Sequence, residues 1–530
     1  MTDDTPTLTR RRALQGIGSV AGMASLAGCG SVVGKSEQLR YAQVLPPQTL
    51  DPVVIDDPWS AQVANLVFQG LYAYDRGMNL VPVLANGEPT VSDDGKRYAV
   101  TLKKGATFQN GQAVRAEDVK YSLDPSTYRG TTPSPNLWQV EPIRSVSVAD
   151  ERTVEFELKH PYPAFEHTLT RAVVPKASRN GNEEAFGTEK PVGSGPYEVD
   201  VFKPGSTALL TSWDGYWQNV DPGIRDVKFV SNHAGLARSM SLKTGQNDVV
   251  ERIQPKLWSA TKKFPGSRVT KTRSYHSTFV GFNTSDGPTS KKKVREAIDY
   301  LLPMSDLVEH LVGETGERQY SPLPRHVSEK WGFPLEKWKD VPHERNRERA
   351  RTLMEEADVG SWSPLVAVPE DLMREKFAEA IVHELKKLGF RKARTKKYSW
   401  SGFRETILSG NSSKYAMFVG SWAGAEDPDS FLYPLFHRNM EGVTNATFYR
   451  NPDLMENLER SRQVDDRRKR KRLYEETVTT LLEERVHLPV ANLYNSFGVK
   501  DRVEGFEPHP LSQYNPQLLT PDGRSVSLRE

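Results

Sequence analysis

Cysteine is almost absent. The 530-residue chain holds one, Cys29, so neither an intramolecular disulfide nor a cysteine-built zinc site can form. No apolar run approaches the ~20 residues that a membrane-spanning helix requires, which excludes a polytopic membrane protein. Neither sign of charge dominates: 71 basic residues face 68 acidic ones, a formal net charge of +3. That balance gives no electrostatic case for nucleic acid as a partner. The densest basic run, Arg467-Arg468-Lys469-Arg470-Lys471-Arg472, reads as the solvated face of a helix, because Glu475, Glu476, Glu483 and Glu484 follow at helical spacings. Catalytic signatures are lacking as well. Ile381-Val382-His383-Glu384 begins like a zinc-protease helix, but Lys387 stands where the second histidine belongs. Glu384 and Lys387 are expected on that helix's solvated side. Val192-Gly193-Ser194-Gly195 has the wrong spacing for a nucleophile elbow, and the 11 histidines are scattered. We therefore expect no enzyme activity, assign no catalytic residue, and expect neither a cofactor nor a metal.

What is present is enough apolar material for a large core: 37% hydrophobic residues, with 20 Phe, 19 Tyr and 10 Trp. The length corresponds to about three domains. Strand-like and helix-like stretches alternate without internal repeats. Leu39–Leu45 alternates and ends at Pro46-Pro47. Ser60–Gly70 carries apolar residues at helical spacing. Thr153–Leu158 alternates as a half-buried strand. Leu372–Leu388, with Met373, Phe377, Ile381, Leu385 and Leu388 in register and Gly389 behind, predicts an amphipathic helix with a C-terminal stop. Lys414–Gly420 predicts a buried strand, Leu473–Leu482 a helix and Val486–Phe497 another strand. The pattern is that of an α/β protein with several lobes.

The first thirty residues have their own character. Arg10-Arg11-Arg12 precedes a small, apolar stretch from Gly16 to Gly28, which ends Leu26-Ala27-Gly28-Cys29. This resembles a twin-arginine export signal joined to a lipoprotein box, with Ala13 at the position where the export pattern usually carries phenylalanine. The resemblance implies cleavage before Cys29 and a thioether-linked lipid on its sulfur. Residues 1–28 would be the signal peptide and 29–35 a tether. The protein would be extracytoplasmic and anchored to the cell membrane through Cys29.

Further blocks occur in order along the chain. They are Leu50-Asp51-Pro52, then Leu66-Val67-Phe68-Gln69-Gly70-Leu71-Tyr72, Ser92-Asp93-Asp94-Gly95, Phe108-Gln109-Asn110-Gly111 and Ala116-Glu117-Asp118-Val119. Pro191-Val192-Gly193-Ser194-Gly195-Pro196-Tyr197, Phe282-Asn283-Thr284 and Trp422 ahead of Asp427-Pro428 complete the set. Most of these make sense as scaffold. Asp94-Gly95 and Asn110-Gly111 suit turns, Glu117 and Asp118 suit the first turn of a helix, and Pro191–Tyr197 suits a chain reversal. As an ordered set they resemble the dipeptide/oligopeptide-binding family (family 5) of extracytoplasmic solute-binding proteins of ABC importers.

That resemblance implies an α/β, bilobal, periplasmic-binding-protein-like fold (type II, a Venus flytrap) with an extra domain, mixed sheets and hinge strands. Lobe I would be discontinuous, 36–65, 190–283 and 490–530. An accessory domain, 66–189, would pack on it, and lobe II would be 284–489. Ligand would lie between the lobes. The implied partners are a peptide or another small solute, an ABC permease with its ATPase subunits, and the membrane through the lipid; the protein is expected to act as a monomer.

In peptide-binding members an acid three residues after the tryptophan matched by Trp422 pairs with the peptide ammonium. Here the segment reads Ser421-Trp422-Ala423-Gly424-Ala425-Glu426-Asp427-Pro428, with Ala425 at the acid's place. Either Glu426 reaches the same point by a re-routed loop, or no ammonium is bound and the solute is a sugar, a nickel complex or an opine. The implied ligand contacts are Trp422, Glu426, Ser421, Asp56, Asp57 and Asn136. Asp57 has helix capping near Ser60 as its alternative role. A ligand-sensing receptor of the same fold and a secreted hydrolase remain as other readings. For the lipid anchor, Cys29→Ser is expected to move the protein from the membrane to the soluble fraction and to abolish lipid labelling. A variant still sedimenting with membranes would remove Cys29 as the anchor.

Overall fold

The computed structural model describes residues 38–129, 134–189 and 191–529. The export signal, Cys29 and the tether lie outside them. Among the described residues no helix is long and apolar enough to cross a membrane.

The strands form one large mixed sheet in two halves, a separate four-stranded sheet and two two-stranded pairs. In the first half, Gln38–Gln43 lies parallel to both Asp226–Ser231 and Val249–Glu251, and Thr207–Ser212 and Tyr197–Lys203 continue the edge antiparallel. In the second, Arg394–Tyr398, Leu365–Pro369 and Met417–Ala423 run parallel, and His276–Phe282 pairs antiparallel with the last of them. The four-stranded antiparallel sheet, Thr90–Val91, Arg97–Thr101, Thr153–Leu158 and Ile143–Val148, builds the accessory region with its own core around Phe108, Phe156 and Phe165.

Two adjacent antiparallel strands join the halves. His487–Lys500 pairs through its first residues with His276–Phe282 and Gly316–Arg318, and through its last with Ser267–Arg273 and Val249–Glu251. The pairing changes halves at Ser274-Tyr275 on one strand and near Leu493-Tyr494 on the other. The expected boundaries at 283 and 490 fall several residues from these points. Pro489 is accommodated where the register against Thr278 and Phe279 shifts, the kind of irregularity at which a strand tolerates proline.

Local chemistry explains most elements. The helix Leu372–Leu388 is capped by Asp371, whose side chain accepts from Arg374 N, and ends at Gly389 with φ 119°. Gly95 and Gly111 turn at φ 65° and 82°. Gly193 and Gly195 serve a different purpose from a chain reversal. A Cβ on Gly193 would meet the Val67 carbonyl oxygen at 1.9 Å, and one on Gly195 would meet that of Leu66 at 2.5 Å. Their value is close backbone approach. The basic run begins the helix Arg467–Glu483, capped by Asp466. Arg470 departs from the solvated face: it is buried and ion-paired to Asp427 at 2.9 Å. Glu384 is likewise not solvated; it is buried against Arg345 and Arg347 at 2.8 and 2.6 Å. Lys387 stays half exposed.

The Leu50-Asp51-Pro52 block owes its place to a buried ion pair. Arg179 Nη2 donates to Asp51 Oδ2 at 2.7 Å and its Nε reaches both carboxylate oxygens, with both residues within 3% of full burial. Such a pair is geometrically favourable, and removing one partner strands a buried charge. Asp51→Ala is therefore expected to lower the unfolding free energy by about 3–5 kcal/mol, measured by urea denaturation. A loss under ~1 kcal/mol would equate the pair with an exposed one.

Candidate functional site

Between the two half-sheets and the accessory region lies a cavity of about 310 Å³, with a smaller one of about 190 Å³ beside it. The first is lined from both halves: Ile55–Trp59 on one side, the ends of His276–Phe282 and Met417–Ala423 on the other. The strand Met417–Ala423 is buried through Gly420 and opens from Ser421 onward, which is how it delivers Ser421 and Trp422 to the cleft. Trp422 donates from Nε1 to the Ser430 carbonyl at 2.7 Å, so its ring is held by its own loop.

Asp56 reaches across the cavity and pairs with Arg404 of the helix Trp400–Leu408. Asp57 takes its alternative role: its Oδ1 accepts from Ser60 N at 2.8 Å and caps the helix Pro58–Val67. Burial raises its carboxyl above the usual range. Asn136 lines the same cavity and donates from Nδ2 to the Ile55 carbonyl at 2.9 Å, stitching the two cleft loops together. Ser421 accepts from Arg374.

Glu426 is placed differently from its expectation. It lines neither cavity; its carboxylate pairs with Lys330 and accepts from the Tyr275 hydroxyl at 3.0 Å. The loop is instead routed so that Ala425 faces the smaller cavity. Asp427 and Asp429, which also face it, are tied to Arg470 and to Arg462, and the Tyr162 hydroxyl of the accessory region donates to Asp429 at 2.6 Å. The trapped geometry of residues 423–425 follows from small side chains, since a Cβ on Gly424 would strike the Phe431 ring at 2.4 Å.

Several cleft residues have no expectation behind them: Arg252, Arg374, Arg404, His276 and His487. Arg374 had a visible signal. It falls three residues before Phe377 on the apolar stripe of its helix, where a guanidinium has no solvent to face. Arg252 follows the buried strand Val249–Glu251 and adopts φ 50°, uncommon outside glycine; its guanidinium lies over Trp59 at 5.4 Å. The two histidines are held neutral. Burial, with Arg252 and Arg374 close by, pushes His276 well below its ordinary value, and burial alone takes His487 down to about 3. His487 stacks on Phe279 with ring centroids 3.9 Å apart.

Comparison with known proteins places this geometry. The family model described as bacterial extracellular solute-binding proteins, family 5 Middle, matches residues 79–442. The glutathione-binding protein GsiB of Salmonella choleraesuis is 27% identical over 458 residues, 83% of this chain and 86% of that protein. Protein XP55 of Streptomyces lividans is 26% identical over 486 residues, 87% and 84%. Among solved structures, the oligopeptide-binding protein AppA of Bacillus subtilis in complex with a nonapeptide superposes with a TM-score of 0.83 at 22% identity, covering 93% of this chain and 99% of that one. NikZ of Campylobacter jejuni in complex with Ni(L-His) gives 0.78 at 21%, covering 91% and 98%. The shared architecture is the bilobal α/β fold.

The buried neutral histidine carries a pH consequence. His487 titrates near 6.5 when unfolded and near 3 when folded, so between those values the unfolded chain binds more protons. Stability from this group is thus present at neutral pH and is lost as pH falls below about 6.5. Between pH 7 and 5 the native protein is expected to lose about 2 kcal/mol through His487, and His487→Phe to lose that much less, by urea denaturation at both pH values. Equal losses in the two proteins would remove His487 as the source.

Proposed function

The chain belongs to family 5 of the bacterial extracellular solute-binding proteins, and from that premise we propose that it captures a peptide in the interlobe cleft and delivers it to an ABC permease. Proteins of this family serve ABC importers and bind peptides or related solutes outside the cytoplasm. The observation carrying the peptide reading is the cavity itself: it is lined from both halves of the molecule, with Trp422 on one side and the Asp56 loop on the other. A solute bound there touches both halves and favours their closed arrangement, because binding energy gained from both lobes exists only when they meet. The Asp56–Arg404 pair spans the same gap, and the two strands crossing at Ser274-Tyr275 and Leu493-Tyr494 serve as the hinge.

Trp422, Ser421, Asp56 and Asn136 are the proposed ligand-facing residues; Asp57 supports them by fixing the start of its helix. Asp56 contributes as the latch to Arg404. The proposed lobes are those set out above, with the junctions moved to the strand crossings. Delivery requires no chemistry in this chain, and ATP hydrolysis belongs to other subunits. A lipid on Cys29 would keep the protein near its permease.

A second reading, a non-peptide solute, is favoured by one observation: the alanine at 425 facing the smaller cavity. The structural relatives AgaA and NikZ are described in complex with agropinic acid and with Ni(L-His), so related folds hold such molecules. Native mass spectrometry of the protein purified from its own cells decides between the two. Retained masses corresponding to short peptides or peptide derivatives are expected. A single mass from an unrelated class, such as a sugar, would overturn the peptide reading.

A further inference from the structure

We propose that the solute is a small peptide-derived diacid, carrying two carboxylates and no free ammonium group. The proposal deepens the reading of the cleft as the binding site and rests on it.

Part of the charge in the cleft is already spent within the protein. The larger cavity is lined by four arginines, Arg171, Arg252, Arg374 and Arg404, and by two acids, Asp56 and Asp57. Asp56 is neutralised by Arg404. Asp57 caps its helix through Ser60 N and has no ion-pair partner among the described residues, so it leaves one negative charge against the remaining arginines. The other three arginines have no ion-pair partner among the described residues. Arg171 donates to the Pro52 carbonyl at 2.6 Å, and Arg252 rests on the Trp59 ring.

Arg374 is the sharpest case. It is 5% exposed, its Nη2 donates to Ser421, and its Nε and Nη1 have no partner among the described residues. Asp371, the cap of the same helix, accepts from Arg374 N and makes no ion pair with its side chain. A buried guanidinium with two unused donors is costly unless an anion completes it. A carboxylate does so with charge-assisted, bidentate geometry.

An ammonium group finds no such reception. Residue 425 is an alanine, and Glu426 is turned to Lys330. Asp427 and Asp429, which face the smaller cavity, are paired with Arg470 and Arg462 at 2.9 and 3.2 Å. Asp429 Oδ1 has no partner among the described residues, but the charge of that carboxylate is already balanced by Arg462. A cation placed there meets two neutralised acids and the unpaired Arg171, which lines both cavities. The histidines of the cleft add no charge at neutral pH, as shown above. The volume, about 310 Å³, sits at the small end of the ~300–1,000 Å³ range of ligand sites, which suits a dipeptide-sized molecule.

The test uses four probes on the full chain purified in detergent, by isothermal titration: Ala-Ala, Ala-Glu, N-acetyl-Ala-Ala and N-acetyl-Ala-Glu. Each change, the acetyl cap and the second carboxylate, is expected to tighten binding at least tenfold. R374Q and R252Q are expected to retain a cooperative thermal melt and to lose at least tenfold in affinity for N-acetyl-Ala-Glu. Ala-Ala binding as tightly as N-acetyl-Ala-Glu would overturn the proposal while leaving the cleft as a peptide site. So would acetylation that weakens binding, which would make Asp429 the amine anchor. Failure of all four probes to bind would overturn the peptide reading of the cleft itself.

Discussion

Two strands belong to both halves of this molecule at once. Residues 267–282, interrupted at Ser274-Tyr275, run antiparallel beside His487–Lys500, and each changes partners partway along. Backbone hydrogen bonds must be satisfied along a buried strand, so each half-sheet holds its own end of the pair. Only the short stretch between them is left to bend. The position of the cleft follows: it opens where His276, Ser421 and Trp422 sit at strand ends next to that crossing. The paired strands hold the two cleft walls in register where the halves meet.

Buried ion pairs give this architecture its specificity of assembly. Asp51–Arg179 ties the loop after Gln38–Gln43 to the helix Lys176–Arg179. Asp429 is held by Arg462 within the second lobe and by Tyr162 from the accessory region, and Arg462 itself lies over the Tyr162 and Tyr433 rings at 4.8 and 3.8 Å. Arg485 meets Asp299 at 3.1 Å. Each pair is costly to break because the survivor is left charged in a poorly solvated place. The same rule makes Arg374 informative: it is buried without an ion-pair partner among the described residues, and two of its donors are unused.

Much of the fold was legible. Thr153–Leu158 and Leu372–Leu388 have the bounds their periodicity predicts, because alternation and the 3.6-residue repeat are local consequences of which face is buried. Asp57 as a cap and Gly95 and Gly111 as turns were legible for the same reason, since the partner atoms lie within a few residues. Glu384 and Arg470 were misread as solvated. Charged residues on a helix are usually exposed, and their buried partners Arg345, Arg347 and Asp427 are far away in sequence. Glu426 was misplaced because a loop's route depends on what packs around it, here Tyr275 and Lys330.

The amino-acid sequence by itself determined the alternating α/β elements, the order of blocks that marks the family, and the segments around Asp56 and Trp422 that border the cleft. Tertiary structure alone decided which charges in that cleft are spent and which are free. Arg374 meets Ser421 across 47 positions, and Trp59 meets Glu251 across 192. Hydrogen bonds and ion pairs act over a few ångströms of space and carry no trace in the spacing of residues along the chain. The chemistry of the site is therefore written in contacts that exist only once the two halves have folded against each other.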